Sequence, residues 1–315
     1  MRAAVLTAYG RPPEPADREL PVPGPEEVRV KVTAAPIAPL DLLCATGTSY
    51  FGAPPLPYVP GVQGVGVRDD GARVWFASDA GMKPGDGSLA EAAVVRAVDT
   101  VPVHADVPDP LAAALGLSAV AAWMALTWRA ALRPGETVLV LGAGGAVGQV
   151  AVQAALALGA GRVVAASRRE GLRAVALERG ATAVVDLSDP DGLTDRMRAA
   201  AGGPVDVVVD PVGGDAATAA LLALGTHGRL VHLGASGGPT ATFSSAALRS
   251  GSHSILGYTN TAISPVQRAD ALTAVLDLAA AGRCDVTHET VRLADVADAW
   301  VRAGAAPDAR LVVTP

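Results

Sequence analysis

The chain has 315 residues, too many for one ordinary compact domain and enough for two domains that each bury a core. Of these residues, 50% are hydrophobic and 18% are charged, which excludes an intrinsically disordered chain. The formal net charge of −6, with no basic cluster longer than Arg168 and Arg169, argues against a nucleic-acid partner.

The first hundred residues have the pattern of an irregular antiparallel β domain. Short β-rich runs at 28–32 and 92–95 alternate with loops dense in proline and glycine, such as residues 52–61. The N-terminus turns polar and proline-rich too early for a signal peptide. The only two cysteines, Cys44 and Cys284, form no Cys-x-x-Cys motif. We therefore expect a cytoplasmic protein without disulfide bonds.

From about residue 108 the sequence alternates Ala- and Leu-rich helical stretches with short apolar strands. The predicted strands are 138–141, 162–165, 183–185, 205–209 and 229–233. Fully apolar strands are typical of a parallel sheet that is covered on both faces. The apolar stretch 111–126 is shorter than the roughly 20 residues that a membrane helix requires, so we expect a buried helix and no membrane partner. The prediction is a doubly wound α/β sheet.

A return segment follows the predicted sheet. Beyond about residue 250 the sequence predicts a helix near 265–280, a strand near 289–292, a helix near 293–303 and a last strand at 310–314. We expect this tail to pack back on the first domain. The predicted division is therefore 1–107 for the first part of the β domain, 108–250 for the α/β domain and 251–315 for the return segment.

The strongest local motif is a glycine turn between a strand and a helix at residues 136–148. Ala143, Gly145 and Gly148 fit the spacing A-x-G-x-x-G, whereas Gly142 and Gly144 do not reach a third glycine. Small residues there let backbone N–H groups approach a pyrophosphate, which the helix N-terminus also attracts. The alternative is that these glycines only end a strand and start a helix.

The end of the next predicted strand indicates which dinucleotide is bound. NAD-selective enzymes place an acidic residue at this position, but this chain has Ser167, Arg168 and Arg169. Arginine matches a 2′-phosphate in charge and geometry, which favours NADP. A solvated basic turn without a ligand is the alternative.

Six segments spread along nearly the whole chain form a further pattern: 60–66, 87–91, 133–140 (RPGETVLV), 207–214 (VVVDPVGG), 228–234 (GRLVHLG) and 293–300. Taken in this order, they resemble the medium-chain dehydrogenase/reductase superfamily, and within it the zinc-independent, quinone oxidoreductase-like branch. The resemblance implies a GroES-like substrate domain built from both chain ends and a Rossmann domain inserted between them. It also implies an active site in the cleft.

By position, the resemblance implies contacts to the cofactor from the glycine turn, from the end of the second strand, from two loops on the nicotinamide side and from one arginine near the C-terminus. These residues are Ala143, Gly145, Ala146, Val147, Gly148, Ser167, Arg168, Arg169, Val212, Gly234, Ala235, Ser236 and Arg310.

The zinc ligands of the superfamily are replaced in this chain. Zinc-dependent relatives place a cysteine near Ala38 and a histidine–glutamate pair in the following turn, where this chain has Val62 and Gln63. The cysteine-rich structural zinc lobe is also absent, and Cys44 is out of register for a ligand, so we read it as an ordinary small apolar residue. The histidines show no paired ligand spacing, and we expect His232 to be a core residue. The prediction is that no metal is bound.

The predicted lack of zinc favours a particular reaction. Without a Lewis acid, reduction of an unactivated ketone is harder, whereas conjugate addition of hydride spreads charge into an enolate or hydroquinone. We therefore expect NADPH-dependent reduction of a small quinone or α,β-unsaturated carbonyl compound. Tyr50 resembles a tyrosine that lines the cleft of quinone reductases and is the candidate hydrogen-bond donor, with a packing role as the alternative.

Two polar positions of the family are lost, which keeps other functions open. A common asparagine and a threonine near the nicotinamide correspond here to Ala38 and Ala121, whereas Asp41 is matched and is expected to have a structural hydrogen-bonding role. An enoyl-thioester reductase is one alternative function. A regulatory protein that binds NADPH with little turnover is the other.

A homodimer is the expected assembly. Related proteins pair through the edge of the Rossmann sheet, and the segment 253–257 has the pattern of an edge strand.

Overall fold

The computed structural model describes residues 1–315, which form two compact units. The first unit comprises Met1–Leu117, Pro265–Ala280 and Val286–Pro315, and the second comprises Ser118–Ser264 and Ala281–Asp285. The units change over after residues 117 and 264, compared with the predicted boundaries after 107 and 250.

Strands predominate in the first unit, and strands alternate with helices in the second. In chain order the strands are β1 (Arg2–Val5), β2 (Glu14–Asp17), β3 (Glu27–Pro36), β4 (Gln63–Arg68), β5 (Arg73–Ala77), β6 (Ala92–Arg96), β7 (Thr100–Pro102), β8 (Thr137–Leu141), β9 (Arg162–Ser167), β10 (Ala183–Asp186), β11 (Val205–Asp210), β12 (Leu224–His232), β13 (Ser254–Gly257), β14 (His288–Arg292) and β15 (Arg310–Thr314). The helices are α1 (Pro39–Ala45), α2 (Asp109–Met124), α3 (Ala146–Ala157), α4 (Glu170–Glu178), α5 (Leu193–Ala201), α6 (Gly214–Ala223), α7 (Ser245–Ser250), α8 (Pro265–Ala280) and α9 (Val296–Gly304).

The first unit is built around a seven-stranded sheet of order β14-β15-β3-β4-β5-β7, in which β6 also pairs with β3. The last strand, β15, pairs antiparallel with β3 and parallel with β14. Helix α9 covers part of this core through Val296, Ala299 and Trp300, which share one helix face because of their i, i+3, i+4 spacing. Of the predicted return segment, Pro265–Ala280 and Val286–Pro315 belong to the first unit, whereas residues 251–264 and 281–285 belong to the second.

The second unit contains a six-stranded parallel sheet of order β10-β9-β8-β11-β12-β13. This is the doubly wound order 3-2-1-4-5-6 of a Rossmann fold. Strands β8 to β12 lie where the five apolar runs predicted them. A strand that is covered on both faces is apolar throughout, which makes it visible in the sequence as such a run. The fold class is confirmed. Strand β13 is an edge strand, as predicted, and pairing of two chains through it stays a prediction.

Helix α2 is longer than the predicted apolar stretch because it continues as a π-helical turn, Ala125–Arg129. The stretch Asp109–Arg129 is long and apolar enough to cross a membrane by length and composition alone, but 72% of its apolar window is buried within the protein. Buried helices in the core of folded domains can have the same length and hydropathy. The burial of this helix agrees with the predicted buried helix.

Gly116 breaks α2 near the end of the first unit. Its φ of 30° and ψ of −128° lie outside the helical region, in a conformation that side chains with a Cβ rarely adopt. At the break, Gln63 Oε1 accepts hydrogen bonds from Leu117 N at 2.6 Å and from Trp75 Nε1 at 3.2 Å. A Cβ on Gly116 would collide with Gln63 Oε1 and lie 2.7 Å from Trp75 Nε1.

We expect Gly116→Ala to lower the free energy of unfolding by about 3 kcal/mol, through backbone strain and this collision. The matched control is Gly171→Ala in α4, where a Cβ meets nothing within 4 Å. That control is expected to be neutral or to stabilise by up to about 1 kcal/mol. Urea denaturation of both variants measures the difference, and equal stabilities would show that the break does not need glycine.

Candidate functional site

The site lies at the carboxyl ends of the strands of the six-stranded sheet. Because all six strands are parallel, the residues that follow β8, β9, β11 and β12 lie on the same side of the sheet. Ligands of doubly wound sheets bind outside the carboxyl ends of the strands, where the strand order reverses. Here the order reverses between β8 and β11.

The glycine turn after β8 brings α3 close to the sheet. Gly142 has a φ of +61° and makes the turn, and Ala143 N donates to Ala166 O at 3.0 Å. In the first turn of α3, a Cβ on Gly148 would collide with Gly142 O and lie 2.6 Å from Ala143 Cα. Gly148 therefore allows the helix to pack closely on the strand. This is the role of the third glycine in the predicted A-x-G-x-x-G spacing. The turn-forming role of Gly142 was missed, although its place directly after the strand was a signal.

Gly145 differs from its neighbours because nothing in the protein requires a glycine there. It is exposed at the N-cap of α3, and a Cβ would meet only Gly142 O at 3.6 Å. A Cβ on Gly144, in contrast, would collide with Leu172. Beyond Gly145 lies the first turn of α3, with Ala146 and Val147, where backbone N–H groups lack intrahelical partners. Space and unpaired donors together suit the pyrophosphate of a dinucleotide.

The end of β9 is held in place by side chains around it. Arg173 donates to Ser167 O at 3.0 Å and to Arg168 O at 2.9 Å, and it pairs with Asp186 at 3.1 Å. Ser188 Oγ also donates to Arg168 O, at 3.1 Å. Hydrogen bonds from Ser188 and the charges of nearby arginines hold the pKa of Asp186 below its ordinary value. Asp186 is thus an anion committed to Arg173.

The side chain of Arg168 is exposed and makes no hydrogen bond or ion pair within the chain. The backbone at this position is fixed while the guanidinium stays available for an anion. Ser167 is buried, and Arg169, also exposed, occupies the N-cap of α4. These three predicted residues therefore lie together at the end of β9.

The loops after β11 and β12 are joined by one buried carboxylate. Asp210 is fully buried, and its Oδ1 accepts from Val212 N at 2.9 Å and from Gly213 N at 2.8 Å. Its Oδ2 lies 2.7 Å from Nδ1 of His232. Between the loops, Gly237 N donates to Val212 O at 2.7 Å.

The predicted loop residues Gly234, Ala235 and Ser236 begin the second of these loops. Ser236 Oγ donates to Pro211 O at 3.2 Å, and a Cβ on Gly234 would lie 3.1 Å from the same carbonyl oxygen. The structure therefore brings Val212 and the segment 234–236 together.

The prediction that His232 is a core residue is wrong. Its side chain is 42% exposed at the last position of β12. It shares a sheet face with Asp210, since each lies two residues beyond a core residue of that face, Leu230 and Val208. The sequence analysis missed the Asp210–His232 pair. The available signal was that an acid and a histidine each stand at the end of an apolar strand.

In the first unit, Asp41 is buried near the start of α1 and ties two segments together. Its carboxyl group accepts from Ala38 N at 2.8 Å, from Gly61 N at 3.1 Å and from Val62 N at 2.9 Å. Burial raises its pKa to about 6, against the hydrogen bonds and the charge of Arg310, which lower it. The predicted structural role of Asp41 is confirmed.

Arg310 lies in the same region of the first unit, where its Nη1 donates to Ile37 O at 3.0 Å. Burial lowers its pKa, and the charge of Asp41 acts in the opposite direction. A cofactor contact by Arg310 stays a prediction.

Tyr50 is 78% exposed, with its ring centroid 4.3 Å from that of Phe51. Its ring therefore packs against a neighbouring ring while most of the side chain is accessible, and both the packing role and the part in catalysis stay predictions.

No group of three or more His, Cys, Asp or Glu side chains is arranged to hold a metal ion. Cys44 and Cys284 are buried free thiols, and burial raises their pKa values to about 11 and about 12. The interpretation of Cys44 as an ordinary buried residue is confirmed, whereas zinc independence stays a prediction.

The chain is similar to several known proteins. A family model described as zinc-binding dehydrogenase matches residues 146–295. Quinone oxidoreductase-like protein 2 of Mus musculus is 35% identical over 251 residues, which cover 76% of this chain and 70% of that protein. The quinone oxidoreductase of Rattus norvegicus is 30% identical over 246 residues, which cover 75% of this chain and 74% of that protein. Among solved structures, the quinone oxidoreductase from Thermus thermophilus, studied alone and with NADPH, is 29% identical with a TM-score of 0.83 and covers 100% of both chains.

The glycine turn offers a matched pair of variants. We expect Gly148→Ala to lower the free energy of unfolding by about 2 kcal/mol, since the added methyl group collides with backbone. We expect Gly145→Ala to change stability by less than about 1 kcal/mol. Gly145→Ala should nevertheless weaken NADPH binding by about tenfold or more, because the methyl group fills the approach to the helix N-terminus. Denaturation and calorimetric titration measure both effects, and unchanged affinity in Gly145→Ala would contradict a pyrophosphate site there.

Asp41 predicts a particular pH dependence of stability. Its folded pKa of about 6 lies above the ordinary value of 3.8, so the folded state keeps a proton that the unfolded chain releases between these values. The contribution of Asp41 to the free energy of unfolding is therefore largest below pH 4 and is lost as pH rises through 6. The loss is about 2–3 kcal/mol.

Asp41→Asn removes this titration and keeps the shape of the side chain. The wild-type protein should lose stability relative to the variant between pH 4 and pH 7, as measured by denaturation at each pH. Subtracting the free energy of unfolding of the variant from that of the wild-type protein at each pH cancels the contributions of all other carboxyl groups. A difference that does not change with pH would exclude the raised pKa.

Proposed function

Because the chain belongs to the quinone oxidoreductase-like branch of the medium-chain dehydrogenase/reductase superfamily, we propose that it is an NADPH-dependent, zinc-independent reductase of small quinones or α,β-unsaturated carbonyl compounds. Family membership supports oxidoreductase chemistry. The structural observation in this chain that supports NADPH over NADH is the unpaired guanidinium of Arg168 on a fixed backbone at the end of β9. The T. thermophilus relative, studied with NADPH, points in the same direction.

The residues at the sheet edge fit a dinucleotide. The glycine turn and the first turn of α3 would hold the pyrophosphate, and the loops joined by Asp210 would lie on the nicotinamide side. When bound, the nicotinamide supplies the hydride. The protein contributes binding, orientation and exclusion of water.

Selectivity for the 2′-phosphate follows from the surroundings of Arg168. None of Ser167, Arg168 and Arg169 is acidic, and Asp186, which lies beside Ser167 on the neighbouring strand, is engaged by Arg173. A phosphate would bind the Arg168 guanidinium through two parallel hydrogen bonds. The cost of ordering is small, because Arg173 and Ser188 already hold the backbone and only one side chain becomes fixed.

Zinc independence is supported by what occupies the ligand positions of zinc-dependent relatives. Gln63 Oε1 is already bonded to Trp75 and Leu117, and the backbone of Val62 donates to Asp41. Ala38 has no donor atom in its side chain. Charge that develops on an acceptor must then spread over a conjugated system, which quinones and enones provide.

We expect wild-type protein to bind NADPH about 10- to 100-fold more tightly than NADH, and Arg168→Gln to lose that preference by weakening NADPH alone. The control is Arg283→Gln, an exposed arginine on the segment that contacts Gln153 of α3 and the C-cap residue of α4, away from the strand ends. Calorimetric titration measures both affinities. Equal weakening of NADPH and NADH in Arg168→Gln would contradict recognition of the 2′-phosphate.

Turnover is measured with NADPH and three acceptors: 1,4-benzoquinone, a simple enone and an enoyl thioester. Oxidation of NADPH with the quinone or the enone is the expected result. Oxidation with the thioester alone would assign the enoyl-thioester reaction instead, and tight binding of NADPH without turnover of any acceptor would leave a regulatory cofactor-binding protein.

A further inference from the structure

The second unit contains a cavity of about 410 Å³ beside the edge strand of its sheet. The cavity is lined by Trp128, Arg129, Gly257, Tyr258, Thr259 and Ala262. Its size lies within the range of small-molecule sites. None of these residues belongs to the glycine turn, to the end of β9 or to the loops joined by Asp210.

Arg129 is a partly buried cation without an acid. Its Nε is buried without a hydrogen bond, and the guanidinium makes no ion pair. Its guanidinium stacks on the indole of Trp128, whose ring centroid lies 5.0 Å from Cζ. An N–H group removed from water, such as Nε of Arg129, needs an acceptor, and stacking on a ring supplies none.

Other arginines show that the situation of Arg129 is unusual. Arg68 and Arg268 also have a buried Nε without a partner, but each forms an ion pair, with Asp70 and Asp99 respectively, at 2.7 Å. These guanidinium groups are neutralised within the chain, and that of Arg129 is not.

A second cavity, in the first unit, provides a comparison. Its volume is about 420 Å³, and two arginines line it. Arg292 pairs with Asp295 at 2.9 Å, and Arg302 pairs with Glu289 at 2.5 Å. The charges there are satisfied, so of these two cavities the Arg129 cavity alone combines space with an unneutralised cation.

The walls of the Arg129 cavity are aromatic. The rings of Trp128 and Tyr258 lie 6.4 Å apart at an angle of 76°. The hydroxyl group of Tyr258 donates to Asn260 Oδ1 at 2.7 Å, so Tyr258 offers the cavity its ring. Trp128 is 44% exposed, so part of its indole is accessible. Two rings at nearly a right angle suit the face and edge of a third ring.

A local departure from α-helical geometry places these side chains. Ala130 N donates to Ala125 O at 2.9 Å, which is the i to i+5 pattern of a π turn. The extra residue changes the directions of Trp128 and Arg129 relative to the helix before them, and π turns are frequent at functional sites. On the other side, Tyr258 follows β13 directly, and its N–H donates to His232 O at 3.0 Å.

We propose that this cavity binds a small planar aromatic carboxylate. The carboxylate accepts hydrogen bonds from the guanidinium of Arg129, and the ring packs against Trp128 and Tyr258. This site goes beyond the reductase function and does not depend on it.

Four probes separate the parts of this proposal: benzoate, cyclohexanecarboxylate, benzamide and inorganic phosphate. Benzoate carries both the ring and the charge, and each of the others lacks one of them. We expect benzoate to bind wild-type protein, and each other probe to bind about tenfold more weakly or not at all. Calorimetry and tryptophan fluorescence measure binding. Equal affinity for benzamide would remove the role of the carboxylate, and equal affinity for phosphate or cyclohexanecarboxylate would remove the role of the ring.

Two charge-matched variants complete the test. Arg129→Gln should weaken the affinity for benzoate by about tenfold or more, and Arg283→Gln should leave that affinity unchanged. Titration with NADPH is run in parallel on each protein. Loss of benzoate binding with NADPH binding intact supports the proposal, and benzoate binding that survives in Arg129→Gln overturns it. If the wild-type protein binds NADPH but not benzoate, the cavity proposal fails while the reductase proposal stands.

Discussion

The candidate site depends on how closely helix α3 approaches strand β8. Gly148 lies against the carbonyl of Gly142 with no room for a Cβ between them. This contact holds the first turn of α3 at the end of the strand, where its unpaired N–H groups and the positive end of the helix dipole meet. The place of an anion is therefore set by packing of uncharged residues. A chain with a net charge of −6 can then bind a negatively charged cofactor without a basic face.

Buried carboxyl groups organise the loops around this constraint. Asp210 binds two backbone N–H groups and an imidazole, and Asp41 binds three backbone N–H groups. At Asp41 burial outweighs the hydrogen bonds, since the pKa rises to about 6. Leaving those N–H groups unsatisfied would cost about 1–3 kcal/mol each, which explains why a buried acid is tolerated. In each unit a buried carboxyl group accepts hydrogen bonds from loop backbone N–H groups, which have no neighbouring strand to pair with.

The sequence alone predicted the strands of the parallel sheet well, because strands covered on both faces are apolar throughout and glycines mark their ends. It predicted Gly148 through spacing. It could not show that α2 breaks at Gly116, since the break depends on contact with a distant residue, Gln63, and the left-handed turn at Gly142 was missed although its position after the strand was a signal. His232 was misread because an apolar strand was assumed to stay covered to its last residue. Arg129 gave no signal, because a π turn leaves no pattern in the sequence.

The two arginines assigned to anions are argued from different physical features. An exposed arginine without an ion pair carries little information by itself, and Arg249 and Arg283 are in that state too. Arg168 differs from them because three hydrogen bonds from two side chains hold its own carbonyl and that of Ser167, so that a ligand orders only one side chain. Arg129 differs because its Nε is buried, so that the absence of an acceptor has an energetic cost that an exposed residue avoids. For Arg168 the structure therefore lowers the cost of binding an anion, and for Arg129 it raises the cost of not binding one.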